Sequence, residues 1–584
     1  MKKTIFLAFL GCLWLTPTTI AQPQPLLKII VTTDVHGAYF PINWFDEDLA
    51  TGSLAHVQSF VKQEIANLGD RVILLDNGDL IQGDPASYFS NFEQTDHPNV
   101  AARILNFMNY SAATVGNHDI EAGHPVYDKL TGELNCPLLA ANAIDNQTNK
   151  SYFQPYTVIQ KAGLTIAVIG LVTPRIPDWL PPVLWSGMHF TGMIDAAQTC
   201  LEEVREKISP DLIIGLFHAG VDPGYGGQSA SDPMNENASR LVAEQVDGFD
   251  IIFTGHDHRR WNTKVAGPSG DSVLLLGGGS RAEAVAVATI SVQHPERSSK
   301  QKILISGELA SMSNQEPDQE FMRFFAGYID SVKAFVEQPV ARLTSRVTTD
   351  DSWFGPSGFT DLIHRAQLEL TGSEVSFAAP LSYKASLEAG PIAIKDLFRL
   401  YRYENLLYLV ELTGEEILGY LNYSYSLWMN HMDSQDDPML LIRKRSGGSW
   451  SFINATYNFD SAMGIEYSVD LQAPADSMVI IHRMSDGRPF RPTERYRVAM
   501  NSYRASGGGG HIQQGARLSH EEMESRVVWT SDSEFRSLLA SWLRSKGEVD
   551  PLPASTWKVI PEKWVERAIP RDRQWLFGKE SDDR

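Results

Sequence analysis

Short runs of β-branched and aliphatic residues alternate with amphipathic stretches from residue 26 to about residue 292. Residues 27–32, 71–75, 112–115, 164–170, 211–217, 250–254 and 272–276 have the pattern of buried strands. Between them, 53–67, 99–110, 194–208 and 235–246 repeat their apolar positions at helical spacing. Strands alternating with helices predict a layered α/β domain. Residues 293–302 are polar and predict a surface loop, and 316–337, bounded by Pro317 and Pro339, predict a connecting helix. A second, α+β unit begins at about residue 340. The expected division is 1–21, 22–310, 311–339, 340–569 and a charged, loose tail over 570–584, apart from Trp575-Leu576-Phe577.

The start of the chain is an address. Lys2 and Lys3 precede an apolar run over residues 5–15, and Thr19-Ile20-Ala21 has the small residues of a cleavage site. Such a run is too short to remain as a span, so it predicts a signal peptide, with lipidation at Cys12 as a minor alternative. No later stretch reaches the ~18 apolar residues of a membrane span. The expectation is a periplasmic or secreted protein, soluble or tethered only at its start. The 584 residues are 43% hydrophobic and 21% charged, an ordinary globular composition. A net charge of −21 excludes a general grip on a nucleic-acid polymer. Three cysteines exclude a disulfide scaffold and leave a Cys136–Cys200 bridge open. Oligomeric state is not legible.

Chemistry gathers at five predicted strand ends. The first strand runs into Asp34-Val35-His36, and the second into Asn77-Gly78-Asp79. The third runs into Gly116-Asn117-His118-Asp119, another ends at His218, and another runs into Gly255-His256-Asp257-His258. Ligands of open α/β sheets collect beyond the carboxyl ends of strands. If the strands continue, Asp34 and His36 share a phase, as do His256 and His258, so each pair aims at one place. Taken singly, each motif has a bland reading as a polar pair, a turn or a core histidine. Together, five strand ends terminating in Asp, His or Asn predict a metal centre.

Four His, two Asp and one Asn exceed the needs of one four-coordinate ion and suit two ions sharing a carboxylate. Mixed imidazole and carboxylate donors favour zinc, manganese, iron or cobalt over magnesium or calcium. Such a pair predicts hydrolysis of a phosphate ester by metal-activated hydroxide.

Asp34-x-His36, Gly78-Asp79, Gly116-Asn117-His118, His218 and Gly255-His256-x-His258 resemble the calcineurin-type metallophosphoesterases. With the export signal and second domain, the chain resembles the secreted 5′-nucleotidase/2′,3′-cyclic-nucleotide phosphodiesterase family. The resemblance implies a layered β-sandwich phosphoesterase domain flanked by helices and joined by a helix to a smaller α+β domain. It implies one ion on Asp34, His36, Asp79 and His258, and another on Asp79, Asn117, His218 and His256. His118 would assist the leaving group, partnered by Glu121 where the family carries Asp, with Asp119 as the alternative orienting group. In the second domain, Tyr401-Arg402-Tyr403-Glu404-Asn405 and Asn501-Ser502-Tyr503-Arg504-Ala505 resemble the two arms of the family's base clamp. Tyr403 and Tyr503 would then sandwich a nucleobase, with two tyrosines packed in the core as the plainer reading.

Two departures bear on the substrate. Ser376-Phe377-Ala378-Ala379-Pro380-Leu381 lacks the arginine of the 5′-nucleotidases, and Gly509 stands where they place Asp. Both features, with Asn235-Glu236-Asn237, look more like the branch acting on 2′,3′-cyclic and 3′-nucleotides. A 5′-monoesterase stays open, since Arg402, Arg504 and Lys384 offer positive charge. The expected function is an exported dimetal nucleotide phosphoesterase. The alternatives are a sulfate-ester or thiosulfate hydrolase of the same architecture and a non-catalytic nucleotide receptor.

Overall fold

The structure, a computed structural model, describes residues 25–45, 50–293 and 302–578. The expected signal peptide with Cys12, and most of the expected 293–302 loop, lie outside the described residues. Two six-stranded sheets form the N-terminal part. In the first, Pro25–Thr32, Val72–Asp76, Ala112–Thr114 and Leu138–Leu139 run parallel, and Ala284–Gln293 and Lys302–Ser311 add an antiparallel edge. In the second, Leu164–Val172, Leu212–His218, Ile251–Thr254 and Ser272–Gly278 run parallel between two antiparallel edge strands. Ile29, Val31, Ile73, Leu75, Ile166, Val168, Ile214 and Phe253 fill the space between the sheets. Strands buried on both faces read as unbroken apolar runs, which is why the sequence disclosed them. The layered sandwich expected from the sequence is the fold observed.

Helices Leu54–Leu68, Val100–Met108 and Met193–Lys207 lie close to their predicted positions. The connector differs from a single helix. It forms Gln319–Phe324 and Ala326–Val336, broken at Phe325. Phe325 is wholly buried, its ring against Phe40, Phe107 and Phe321, and packing that aromatic cluster displaces helical continuity. Pro339–Leu343 then pairs with Gly390–Ala393 and Glu548–Val549.

The C-terminal part centres on a five-stranded sheet ordered Ser461–Met463, Val375–Ala378, Arg495–Asn501, Leu406–Thr413 and Val527–Glu534. Its register decides which loops meet. Leu407 pairs antiparallel with Asn501, so the chain just before the one strand meets the chain just after the other. Val375–Ala378 runs parallel to Arg495–Asn501 and antiparallel to Ser461–Met463. Segments 379–381, 401–405, 457–460 and 502–505 therefore converge on one edge. The tail is a correction: 570–577 are not loose but continue the helix Glu562–Phe577 through Pro570. Val565, Ala568, Asp572 and Leu576 form its buried stripe, and Trp575 stacks on Trp450 at 4.4 Å.

Cys136 and Cys200 are free and buried in separate apolar clusters, so the bridge left open by the sequence is not formed. Burial pushes both thiols up to about 12. Among the described residues no helix is long and apolar enough to cross a membrane.

Candidate metal centre

The carboxyl ends of the parallel strands meet at one edge of the sandwich, where all seven expected ligands are brought together. His36 Nε2 lies 3.0 Å from His258 Nε2 and 3.8 Å from Asp79 Oδ2, and His258 Nε2 lies 3.4 Å from Asp34 Oδ1. Donor atoms of Asp34, His36, Asp79 and His258 all fall within 4.8 Å of one another. On the other side of Asp79, His218 Nε2 is 3.1 Å from Oδ2 and 3.2 Å from Asn117 Oδ1. Asn117 Oδ1 is in turn 2.8 Å from His256 Nδ1. Two groups of four thus share Asp79.

The local backbone differs from the strand continuation expected. The strands stop at Thr32 and Thr254, and Asp34, His36, Asp79, His256 and His258 have φ of 49°, 49°, 53°, 71° and 56°. Non-glycine residues in this region cost roughly 1–3 kcal/mol each and persist only where surroundings over-determine them. Here they are clipped together: Asp34 N–H donates to Gly78 O at 2.9 Å, and His36 N–H to Asp79 O at 2.9 Å. Asp119 accepts from four backbone N–H groups, those of Gly116, Asp79, Leu80 and Ile81. Close approach also needs glycine: a Cβ on Gly116 would sit 2.1 Å from Asp79 Oδ1, and one on Gly255 2.3 Å from Thr33 Oγ1.

The donor set fits a pair of divalent ions. Asp79 Oδ2 is buried and satisfies no hydrogen bond, although imidazole nitrogens flank it on both sides. An orphaned carboxylate oxygen costs about 1–3 kcal/mol or more unless something cationic meets it. The Nδ1 of His36 faces Gln82 O at 3.2 Å and that of His218 faces Asn77 O at 2.7 Å, which leaves each Nε2 for a ligand. Burial, reinforced by neighbouring cations, pushes His256 down to about 3 and His258 to about 4, and it holds His36 well below its usual value. These three are neutral imidazoles, the form that binds metal. In His218 burial is outweighed by Asp79 and Asp34, which lift it to about 10.

His118 stands at the cleft with Nδ1 2.5 Å from Glu121 Oε2. Burial would lower its pKa, but Asp79 and Glu121 raise it to about 9. Asp119 is fully engaged by the backbone, so of the two candidate orienting groups the geometry pairs Glu121 with His118.

A cavity of about 580 Å³ opens above the cluster, lined by His36, Asp79, Asn117, His118, His256 and His258 on one wall. Asp34 and His218 lie beneath, wholly buried. Leu381, Arg402, Tyr403, Asn405, Tyr457 and Tyr503 form the opposite wall, at the edge where the C-terminal segments converge. Tyr403 and Tyr503 are half-buried there. Tyr457, which sequence reasoning missed, lies beside both, at 6.3 Å and 6.5 Å from the two rings and at 77° to each. Trp179, stacked on His256 at 5.4 Å, and Arg281 were also missed. Neither sits in a strand-end motif that would have marked it. Of the three cations expected near a phosphate, Arg402 alone lines the cavity. Arg504 is buried, bonded through Nε and Nη2 to Asp460 and through Nη1 to Asn458. Lys384 lies over the rings of Tyr383 and Phe577.

Residues 27–260 match the calcineurin-like phosphoesterase family and residues 334–515 the 5′-nucleotidase C-terminal domain. The trifunctional nucleotide phosphoesterase protein YfkN of Bacillus subtilis is 25% identical over 93% of this chain, which spans 39% of YfkN's own length. The 2′,3′-cyclic-nucleotide 2′-phosphodiesterase/3′-nucleotidase of Haemophilus influenzae is 24% identical over 92% of this chain and 87% of that protein. The 5′-nucleotidase precursor of Thermus thermophilus superposes with a TM-score of 0.60 at 20% identity, covering 92% of this chain and 99% of the other, which is a likeness of fold. The chain belongs to the calcineurin-like metallophosphoesterases that carry a 5′-nucleotidase C-terminal domain, a family of hydrolases.

Proposed function

We propose that the protein hydrolyses phosphate esters of nucleosides in the cleft between the metal cluster and the tyrosine wall. The observation that carries this reading is the single cavity lined by both the cluster and three half-buried tyrosines. Asp34, His36, Asp79 and His258 would hold one divalent ion, and Asp79, Asn117, His218 and His256 the other. Zinc, manganese, iron or cobalt suits such donors, and the pair would supply Lewis acidity and an acidified water. Tyr403 and Tyr503, with Tyr457 edge-on beside them, would stack on the base, which is worth about 1–3 kcal/mol per base and tolerates any of them. Arg402 would meet phosphate charge from the C-terminal side. His118, held by Glu121 through Nδ1, would present Nε2 to the leaving oxygen and give it a proton.

The loop Ala378-Ala379-Pro380 carries no cation, and Arg504 is taken up by Asp460. This supports 2′,3′-cyclic and 3′-nucleotides over 5′-monophosphates. The sulfur-ester alternative leaves the three tyrosines without a partner. The Lys2–Ala21 pattern supports export to the periplasm or medium, which fractionation of the producing cell would check. The deciding experiment offers AMP, 3′-AMP and 2′,3′-cyclic AMP to the purified protein with Mn²⁺ or Zn²⁺, read by chromatography. Turnover of the cyclic and 3′ substrates is expected. Dominant cleavage of AMP would overturn the assignment of phosphate position, and inertness toward all three with both ions bound would overturn the nucleotide reading.

A further inference from the structure

Behind the tyrosine wall lies a buried cation that the reaction does not use. Arg536 lies in the first turn of the helix Phe535–Lys546 and is 2% exposed. Its Nε donates to Tyr401 O at 2.9 Å and its Nη2 to Arg402 O at 2.7 Å, while Nη1 and Nη2 reach Glu404 Oε1 at 3.2 Å and 3.3 Å. One guanidinium thus fixes residues 401, 402 and 404, the three that surround Tyr403. Its faces are engaged as well. It lies 3.9 Å from the Phe398 ring centroid and 4.9 Å from that of Tyr88.

Tyr88 belongs to the other half of the molecule. It ends the short helix Pro85–Tyr88, nine residues beyond Asp79, on the segment whose Gln82 and Gly83 line the cavity. Its hydroxyl donates to Glu534 Oε1 at 2.5 Å, and Glu534 also accepts the N–H groups of Arg536 and Ser537. Tyr88, Phe398, Glu404 and Glu534 are all buried. The guanidinium therefore touches both the segment that presents Tyr403 and the segment that continues from Asp79.

We propose that Arg536 is a positioning residue for nucleotide binding: in the arrangement of the two parts seen here it holds the 401–404 segment against Tyr88, and so sets how Tyr403 faces the metal cluster. The proposal rests on the reading of Tyr403 as a base-stacking residue. A planar fork is required, because carbonyls at 401 and 402 and a carboxylate at 404 lie in different directions from one head group. A lysine's compact charge cannot meet all three.

The test compares a nucleotide with p-nitrophenyl phosphate, an ester that needs the metal cluster and has no base to position. Arg536→Lys is expected to raise KM for 3′-AMP or 2′,3′-cyclic AMP at least tenfold, with kcat/KM for p-nitrophenyl phosphate within threefold of the parent. Tyr88→Phe keeps the ring and removes only the hydroxyl, and is expected to raise nucleotide KM about threefold in a protein that folds normally. Arg536→Lys combined with Tyr403→Ala should lose little beyond Tyr403→Ala alone, since both act through one contact. Equal losses on both substrates, or additive losses in the double variant, would overturn the proposal and leave Arg536 a structural residue. If Tyr403→Ala itself leaves nucleotide KM unchanged, it is the clamp reading that fails. If Tyr403→Ala raises KM and neither Arg536→Lys nor Tyr88→Phe does, the positioning role of Arg536 fails and the clamp stands.

Discussion

The two ends of the cavity are built on opposite principles. At the metal end polar side chains crowd together, five of the seven candidate ligands stand on left-handed backbone, and donor atoms of Asp34, His36, Asp79 and His258 fall within 4.8 Å of one another. At the tyrosine end three half-buried, uncharged rings form the wall beside Arg402, and ionic anchoring happens out of sight, through Arg504 with Asp460 and Arg536 with Glu404. A mutually supporting cluster fails as a unit. A wall of rings held from behind gives up its energy one ring at a time. The contrast teaches that chemistry and selectivity can be disturbed separately, and variants at each end test that separation.

The largest effect is expected at Asp79, which both groups of ligands share. Asp79→Asn should lower turnover by at least about 10³-fold on nucleotides and on p-nitrophenyl phosphate alike, since Lewis-acid stabilisation is worth several kcal/mol and each 1.36 kcal/mol is tenfold. Metal content should fall in the same sample. A variant that keeps its activity on the small ester would break the idea that Asp79 serves both sites. Next comes His118→Ala, where loss of a positioned acid predicts about 10²–10⁴-fold in kcat on nucleotides, whichever base they carry. Restored turnover with an ester whose leaving group needs no proton would sharpen that role.

At the tyrosine end the strongest consequence is for stability. Asp460 lies with Arg504 in a buried pair, so Asp460→Asn leaves a charge without its partner and should cost roughly 3–5 kcal/mol. Burial pushes the Asp460 carboxyl up, but Arg504 and its hydrogen bonds prevail and hold it below its ordinary value of 3.8. A carboxylate depressed in the folded state adds stability above its unfolded pKa and loses it as pH falls through the folded value. Denaturant unfolding of the parent should therefore weaken below pH 3.8, and Asp460→Asn should flatten that part of the profile. Unchanged metal binding in this variant at neutral pH would show that the two ends are energetically separate.

How much of this was legible follows from the same contrast. Strands buried on two faces write themselves as apolar runs, and a metal centre at their ends would need Asp, His and Asn at fixed places, so the seven side chains that meet there could be named as candidates from the sequence. What could not be read was how the ligands are held. The expected strand phase is replaced by left-handed residues because loops 34–37 and 78–80 bond to one another, a long-range contact without a local signature. The broken connector and the helical tail escaped for a similar reason: Phe325 and Trp575 answer to distant rings. The sequence offered Glu121 as the partner of His118 with Asp119 as the alternative, and the backbone donors around Asp119 and the 2.5 Å contact of Glu121 separate them.

Tyr457 gives the smallest predicted effect and the finest probe of the tyrosine end. It reaches the wall because Ser461–Met463 runs antiparallel to Val375–Ala378, a pairing that the sequence does not announce. Its ring meets those of Tyr403 and Tyr503 edge-on, at the same 77° to each, so it closes one side of the slot. An edge contact of this kind should be worth about 1 kcal/mol, the low end of aromatic–base contacts, or roughly fivefold in binding. Tyr457→Ala is therefore expected to raise nucleotide KM about fivefold, with Tyr457→Phe restoring it to within twofold and neither changing p-nitrophenyl phosphate hydrolysis. A loss as large as that of Tyr403→Ala would make Tyr457 a face of the clamp, and the slot would then be three-sided with no single floor.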